Sequence, residues 1–363
     1  MTDNVQNTST VRLQIDVAKL ERYLRSKQID KFKLPIEVEQ FTYGQSNPTY
    51  LLIDSDKRRY VLRKKPPGTL LSSTAHAVER EFKVLDALGK HTDVPVPKAY
   101  VLCEDKEVIG TSFYIMEFIE GRIFQDIRLL SLPREERKQC WYSVIETLAK
   151  LHSVDYKTIG LADYGKQSNF YRRQIRSLQK VLAAQALAED ENGNKVGEVF
   201  RLNDMIAWFK RNEIPDETTI VHGDFKVFHP TEPRVIGILD WELSTIGHPL
   251  SDLANLLNPF YLPTINHITG LRDVIDLPIP AVDELIHYYC LQVNRPYPIP
   301  RFEFAIVFSF FRLIVIIHGI AARVARKQAS SAKALQYAKL LNPMIHATFD
   351  IIDKGDLNGQ SKL

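Results

Sequence analysis

From Ile220 to Ala254 the chain reads IVHGDFKVFHPTEPRVIGILDWELSTIGHPLSDLA, and this stretch constrains the fold more than any other. Asp224 follows the apolar run TTIVHG, and Asp240 follows VIGIL. Short β-branched runs bounded by turn residues read as buried strands. The sequence therefore predicts a central strand pair, Thr218 to His222 and Arg234 to Leu239, that delivers both carboxylates into one cleft. At 363 residues the chain is too long for a single compact core, so the cleft is expected in a molecule of two lobes.

Composition narrows the partners. Lys+Arg of 47 against Asp+Glu of 44 gives a net charge of +3, too near neutrality to draw nucleic acid or an anionic membrane by bulk charge. Cys103, Cys140 and Cys290 lie far apart and lack the paired spacing of a zinc or redox site, which fits a reducing compartment. The polar start MTDNVQNTST has no apolar core for a secretory signal, and with Asp3 and no Arg it makes a weak mitochondrial presequence. The apolar run from Phe304 to Ile317, interrupted by Arg312, is shorter than the roughly 20 residues of a membrane span and reads as a buried helix. The last residues, Ser361, Lys362 and Leu363, form a peroxisomal address if Leu363 is the natural C-terminus, with the peroxisomal import receptor as the expected partner.

Along the chain, residues up to about Thr10 are expected to be disordered, and Val11 to Lys27 reads as a helix. VEQFTYG, PTYLLID and RRYVLRKK then read as an antiparallel ribbon, followed by a helix from Ser73 to Leu88 and strands at Ala99 to Cys103 and Ser112 to Phe118. The rest reads mainly helical, with amphipathic segments at Glu135 to His152, Val196 to Lys210, Val282 to Val293 and Phe302 to Arg326. The fold class is α+β, with a small antiparallel-sheet N-lobe over residues 1–120, a mostly helical C-lobe over 121–355, and a tail over 356–363.

Two acids at the ends of strands suit phosphoryl transfer, which needs one carboxylate to orient or deprotonate an acceptor hydroxyl and metal ions to bridge the phosphates. HGDF, FHPTEPRVIGILDWELSTIGHPLSDLA, REFKVLDAL, SFYIMEFIEGR, GLADYGKQSNFYRRQI and FSFFRLIVIIHGIAARV carry a further reading. Through them the chain, from about Val38 to Leu340, resembles the aminoglycoside phosphotransferase-like kinases, and more closely the kinase-like domain fused to some acyl-CoA dehydrogenases. The resemblance implies a bilobal protein-kinase-like fold, ATP and Mg2+ as cofactors, and a small hydroxylated molecule as acceptor. It casts Asp224 as catalytic base and Asp240 as the magnesium ligand, with Lys226 offsetting charge on the transferred phosphate. It places the Tyr43-Gly44-Gln45-Ser46-Asn47 turn over the phosphates, contributing Gly44 and Ser46, though this turn lacks G-x-G-x-x-G. Arg63 stands where protein kinases carry a lysine, Glu81 is its ion-pair partner, and Met116, Glu117 and Phe118 match the hinge that reads adenine.

The departure is His229, which occupies the position five after Asp224 where the family's loop places a metal-binding Asn. Imidazole serves Mg2+ poorly. Two readings stay open: a phosphotransferase whose metal is held differently or whose loop lacks a segment in this chain, and a pseudokinase that binds nucleotide or acyl-CoA without turnover. Around the site, His222 reads as a buried orienting residue and Asp252 as a helix cap, while His152, His318, Trp241 and Tyr114 read as core packing.

Overall fold

The computed structural model describes residues 8–9, 15–27, 31–41, 47–66, 77–124, 126–223, 227–228, 231–265, 270–329 and 333–360. Its contacts group into two compact units. Unit 1 takes Met1–Tyr164, His222–Thr245 and Pro278–Pro280, and unit 2 takes Gly165–Val221, Ile246–Leu277 and Ala281–Leu363.

Unit 1 is built on an antiparallel sheet of six strands, in the order β1-β2-β3-β4-β6-β5. They are β1 (Thr8–Ser9), β2 (Glu37–Phe41), β3 (Thr49–Ile53), β4 (Arg59–Lys64), β5 (Ala99–Cys103) and β6 (Phe113–Glu117). Between β3 and β4 the buried Asp54 carboxylate accepts the amides of Asp56 and Arg58 and the Tyr60 hydroxyl, which fixes the turn. That turn sets the register, so Thr49 lies opposite Arg63, and Arg63 lies opposite Tyr114 on β6. At Thr8 and Ser9 strand β1 corrects the expectation of disorder, because they pair with Phe41 and Gln40, while the other residues up to Thr10 lie outside the described residues. Such an edge pairing rests on backbone hydrogen bonds, which a polar sequence does not advertise.

Four helices accompany this sheet. α1 (Val17–Ser26) is capped by Asp16, whose carboxylate accepts the Lys19 amide at 2.9 Å, and it buries Leu20 and Leu24. α2 (Val78–His91) turns Val78, Glu81, Val84, Leu85 and Leu88 inward, a stripe of helical period that contains one charge. α3 (Lys106–Ile109) is a single turn between β5 and β6, and α4 (Arg134–His152) buries Cys140, Val144, Leu148 and Leu151.

From Gly165 the chain forms α5 (Phe170–Ala186), α6 (Leu202–Arg211) and β7 (Thr219–Val221) of unit 2. It re-enters unit 1 for the hairpin of β8 (Val227–Phe228) and β9 (Val235–Gly237), and β10 (Thr245–Gly247) then pairs with β7. The two strands expected side by side are therefore in separate two-stranded sheets, since β9 folds back on β8 and β7 takes β10 as partner. α4 packs against β9, so the boundary read from sequence at residue 120 falls inside unit 1.

Unit 2 is completed by α7 (Pro249–Tyr261), α8 (Val282–Gln292), α9 (Phe302–Ala325), α10 (Ala334–Ala338) and α11 (Leu341–Gln360). Its core is aromatic: Phe304 of α9 meets Phe209 at 5.4 Å and Trp208 at 6.1 Å, and Phe308 meets Tyr171 at 4.8 Å. α9 is long and apolar enough to cross a membrane by length and composition, and 72% of its most apolar stretch is buried within the protein. The helix matches the segment Phe302 to Arg326 read from sequence, with the apolar run from Phe304 to Ile317 inside it. The helix expected from Val196 starts at Leu202, because the Val196 and Gly197 amides donate to Ala188 O and Ala186 O and hold that segment against the end of α5. The cap of α7 is His248, not Asp252, which lies in the first turn. His318 is buried as expected, but His152 is only half-buried.

Candidate active site

The site's best-defined part is a cluster of charge within unit 1. Arg63 on β4 points its Nη1 at Glu81 of α2 (2.9 Å) and at Asp240 (3.1 Å), while its Nη2 lies 3.6 Å from Glu242. Exposure separates these groups: the side chain of Glu81 is 1% exposed and that of Asp240 60%. Glu81 is anchored from two more sides, its Oε1 accepting from Asn47 Nδ2 at 2.8 Å and its Oε2 from the Tyr114 hydroxyl at 2.9 Å.

Local structure explains the convergence. The β4–β6 register places Tyr114 directly opposite Arg63, and the inward stripe of α2 brings Glu81 between them. Asp240 leaves β9 through Ile238 and adopts the left-handed conformation, φ 67° and ψ 64°, at the start of the 3-10 turn Trp241–Leu243. That conformation is uncommon for a residue with a side chain and persists only where neighbours enforce it. Here Trp241 Nε1 donates to Ile238 O at 3.0 Å, Ser244 Oγ donates to Trp241 O at 2.5 Å, and the hydroxyls of Tyr164 and Ser244 share a bond of 2.6 Å. His222 is buried, as expected, and meets the Trp241 ring edge-on at 4.5 Å. Gly223 has φ 98°, a conformation that suits only glycine at the residue before Asp224.

Burial governs the electrostatics. Desolvation pushes the Glu81 carboxyl up to about 7, against the opposing pull of Arg63 and the Tyr114 hydroxyl. Burial works against the charge on Arg63, but Tyr114, Glu81 and Asp240 outweigh it and hold the guanidinium above its ordinary value. Burial likewise drives the Tyr114 phenol well above its usual range.

Of the residues singled out in the sequence, Arg63, Glu81 and Asp240 come together here. Glu117 and Phe118 lie at the end of β6, where the Glu117 amide donates to Lys98 O at 2.8 Å and its carboxylate accepts the Lys98 amide at 3.1 Å. That N–H is therefore committed to the sheet rather than free for a base. The Phe118 ring sits 4.3 Å beneath the Arg59 guanidinium. Gly44, Ser46, Asp224, Lys226 and His229 lie outside the described residues. Sequence reasoning passed over Glu242, Asn47 and the hydroxyl of Tyr114; pairing the β4 and β6 runs in register would have found the last.

The acids suit a hard cation. Asp240 offers an exposed carboxylate, and the Glu242 Oε2 atom is buried and carries no hydrogen bond. Magnesium takes one or two carboxylates and completes its shell with phosphate oxygens and water. Among the described residues no group of three or more His, Cys, Asp or Glu is arranged to hold a metal. Asp240, with Glu242 behind it, would thus contribute the protein ligands of such a cation, whose chemistry would be to offset negative charge on phosphate.

Comparison with known proteins places this geometry in a family. Residues 37–273 match the model of the phosphotransferase enzyme family. Acyl-CoA dehydrogenase family member 10 of Mus musculus is 40% identical over 361 residues, which cover 96% of this chain and 32% of that protein. The chain thus spans about a third of that relative. A crystal structure from Ralstonia eutropha, provisionally assigned as an aminoglycoside phosphotransferase, is 38% identical with a TM-score of 0.80, and the match covers 94% of this chain and 99% of the other. The ternary complex of APH(2")-IIa with streptomycin and ATP shares the fold, with a TM-score of 0.54 at 17% identity over 84% of this chain and 90% of the other. With the family model spanning well over half of its length, the chain belongs to the phosphotransferase enzyme family and has its α+β, protein-kinase-like fold.

Proposed function

We propose that this chain transfers the terminal phosphate of ATP, with Mg2+, to the hydroxyl of a small molecule. The observation that carries the reading is the buried Arg63–Glu81 pair aimed at the exposed carboxylate of Asp240. A fixed cation beside a metal-binding acid is what phosphate positioning and charge neutralisation require. Asp224 would take the acceptor's proton, Asp240 would hold the metal, and Lys226 would face the transferred group. Gly44, Ser46 and Phe118 complete the proposed nucleotide contacts.

For the acceptor we propose a hydroxyacyl-CoA or hydroxy acid of peroxisomal fatty-acid breakdown. Support comes from the likeness to an acyl-CoA dehydrogenase family member and from the Ser361-Lys362-Leu363 motif, which would act as a peroxisomal address where Leu363 is the C-terminus. Incubating the purified protein with γ-labelled ATP, Mg2+ and a panel of hydroxyacyl-CoAs and hydroxy acids tests it, label in an acceptor being the expected result. No transfer to any member, with ATP left intact, rejects the acceptor class. A fluorescent fusion with and without the last three residues tests the location.

One observation favours a second reading. His229 stands where the family's loop carries a metal-binding Asn, so a pseudokinase that binds nucleotide or acyl-CoA without turnover is the competitor. Thermal stabilisation by ATP without phosphate transfer, in a protein whose transcript encodes no further residues between Asp224 and Pro230, would select it.

A further inference from the structure

The ion pair has an architecture that its two charges alone do not explain. Glu81 Oε2 receives both Arg63 Nη1 and the Tyr114 hydroxyl at 2.9 Å, and Oε1 receives Asn47 Nδ2 at 2.8 Å. All four side chains are at least nine-tenths buried at the residue level, Asn47 and Tyr114 at 1% exposure. The groups facing Glu81 are Arg63 from β4, Tyr114 from β6, Asn47 from the start of β3, and Asp240 and Glu242 from the 3-10 turn.

Within this arrangement Arg63 has a choice of acids, since the same Nη1 reaches Asp240 at 3.1 Å. An arginine can bridge two carboxylates with one fork in a way that a lysine's point charge does not. Which acid wins depends on how firmly Glu81 is held. Released, Glu81 would leave the guanidinium to swing onto the exposed Asp240 carboxylate, masking a metal ligand and withdrawing the cation from phosphate together.

We propose that Tyr114 and Asn47 are positioning residues of the phosphate-binding cation: their hydrogen bonds lock Glu81 against Arg63, so that the guanidinium stays available to a nucleotide instead of collapsing onto Asp240. Neither residue touches phosphate; each acts through Glu81. The inference rests on the phosphotransferase reading and adds to it a division of labour.

The test is a double-mutant cycle on nucleotide affinity, read by titration of a fluorescent ATP analogue into the full chain with Mg2+. Tyr114→Phe keeps the ring and removes only the hydroxyl, and is expected to weaken binding about tenfold, the scale of a hydrogen bond to a charged group. In a Glu81→Gln background the same change is expected to alter affinity less than twofold, because the group it positions has lost its charge. A packing role would give equal losses in both backgrounds, and that result overturns the proposal. Where transfer is measurable, Tyr114→Phe should raise KM for ATP more than it lowers kcat. Asn47→Asp, which puts a second anion beside Glu81, should lose more than Asn47→Ala, and the reverse order counts against the assignment. If the unmodified chain binds no nucleotide, the phosphotransferase reading fails instead; normal binding with an unaffected Tyr114→Phe variant sinks this proposal alone.

Discussion

Each compact unit holds a network of charge, and the two networks differ in how they end. In unit 1, Arg63 and Glu81 sit deep in the sheet–helix layer but lead outward to Asp240, whose side chain is 60% exposed. In unit 2, Arg295 pairs with Glu217, which lies 3.9 Å from His248 Nε2, and the imidazole is 1% exposed. His248 spends both ring nitrogens on backbone: Nδ1 accepts the Leu250 amide at 3.2 Å and Nε2 donates to Pro215 O at 3.2 Å. A buried ion pair is weak testimony for either stability or function. What distinguishes a site from a strut is how the exposed acid is tied: Asp240, 60% exposed, shares a cation anchored on Glu81, whereas Glu217, 40% exposed, is itself the acid on which Arg295 closes.

Cutting the deepest pair sharpens the contrast most. Arg63→Met leaves Glu81 buried without its cation, and removing one partner of such a pair costs about 3–5 kcal/mol. Urea denaturation should therefore show a large loss, with nucleotide affinity lost as well. A stability loss below about 1 kcal/mol would mean that Tyr114 and Asn47 alone satisfy the carboxylate.

The next effect is opposition in pH. Burial raises Glu81 from 4.5 to about 7, so between those values the folded state holds a proton that the unfolded state has released, and stability falls as pH rises. Burial lowers His248 from 6.5 to about 4, so between those values the unfolded state binds the extra proton, and stability rises with pH. Each shift corresponds to about 3 kcal/mol across its window, and the windows overlap from about 4.5 to 6.5. The Glu81→Gln variant should accordingly gain stability with rising pH more steeply than the unmodified chain, and His248→Asn less steeply. Parallel pH profiles for all three proteins would remove the contrast.

A third effect separates activity from stability. Asp240→Asn keeps the shape of an exposed side chain, so its stability cost should stay within about 1 kcal/mol. If Asp240 holds the metal, phosphate transfer should fall by a factor on the order of 100 or more. Steady-state kinetics beside a denaturation curve reads both quantities.

How much of this was legible in the sequence follows from what carries each feature. Strands β2 to β6 and helices α2, α4, α8 and α9 declare themselves by apolar period, and they fall close to where the residues place them. The Arg63–Glu81 pair was readable because a strand cation and a helix acid stand in a known order. The pairing of β7 with β10 was not, since strand partners are chosen by folding-back of the intervening chain and not by the strands themselves. Nor was the hydroxyl of Tyr114, because a tyrosine in an apolar strand reads as packing until the register sets it opposite Arg63. His248 was hidden for a similar reason: an imidazole cap resembles no cap in the ordinary Ser, Thr, Asp and Asn set.

The smallest effect lies at that cap. α7 begins with Pro249, which has no amide to satisfy, so Leu250 carries the first amide that needs a side-chain acceptor, and His248 Nδ1 supplies it. His248→Ala should cost about 1–2 kcal/mol, the range for losing a helix cap, and a little more for the cavity left beside Tyr171, whose ring lies 4.9 Å away. His248→Asn restores an acceptor of the preferred kind and should recover roughly half of that loss, since the bond to Pro215 O is not rebuilt. Nucleotide affinity, which we propose the other network governs, should stay within a factor of two in both variants. An affinity loss as large as that of Tyr114→Phe would show that the second network also serves the ligand, and the way the exposed acid is tied would then cease to tell site from strut.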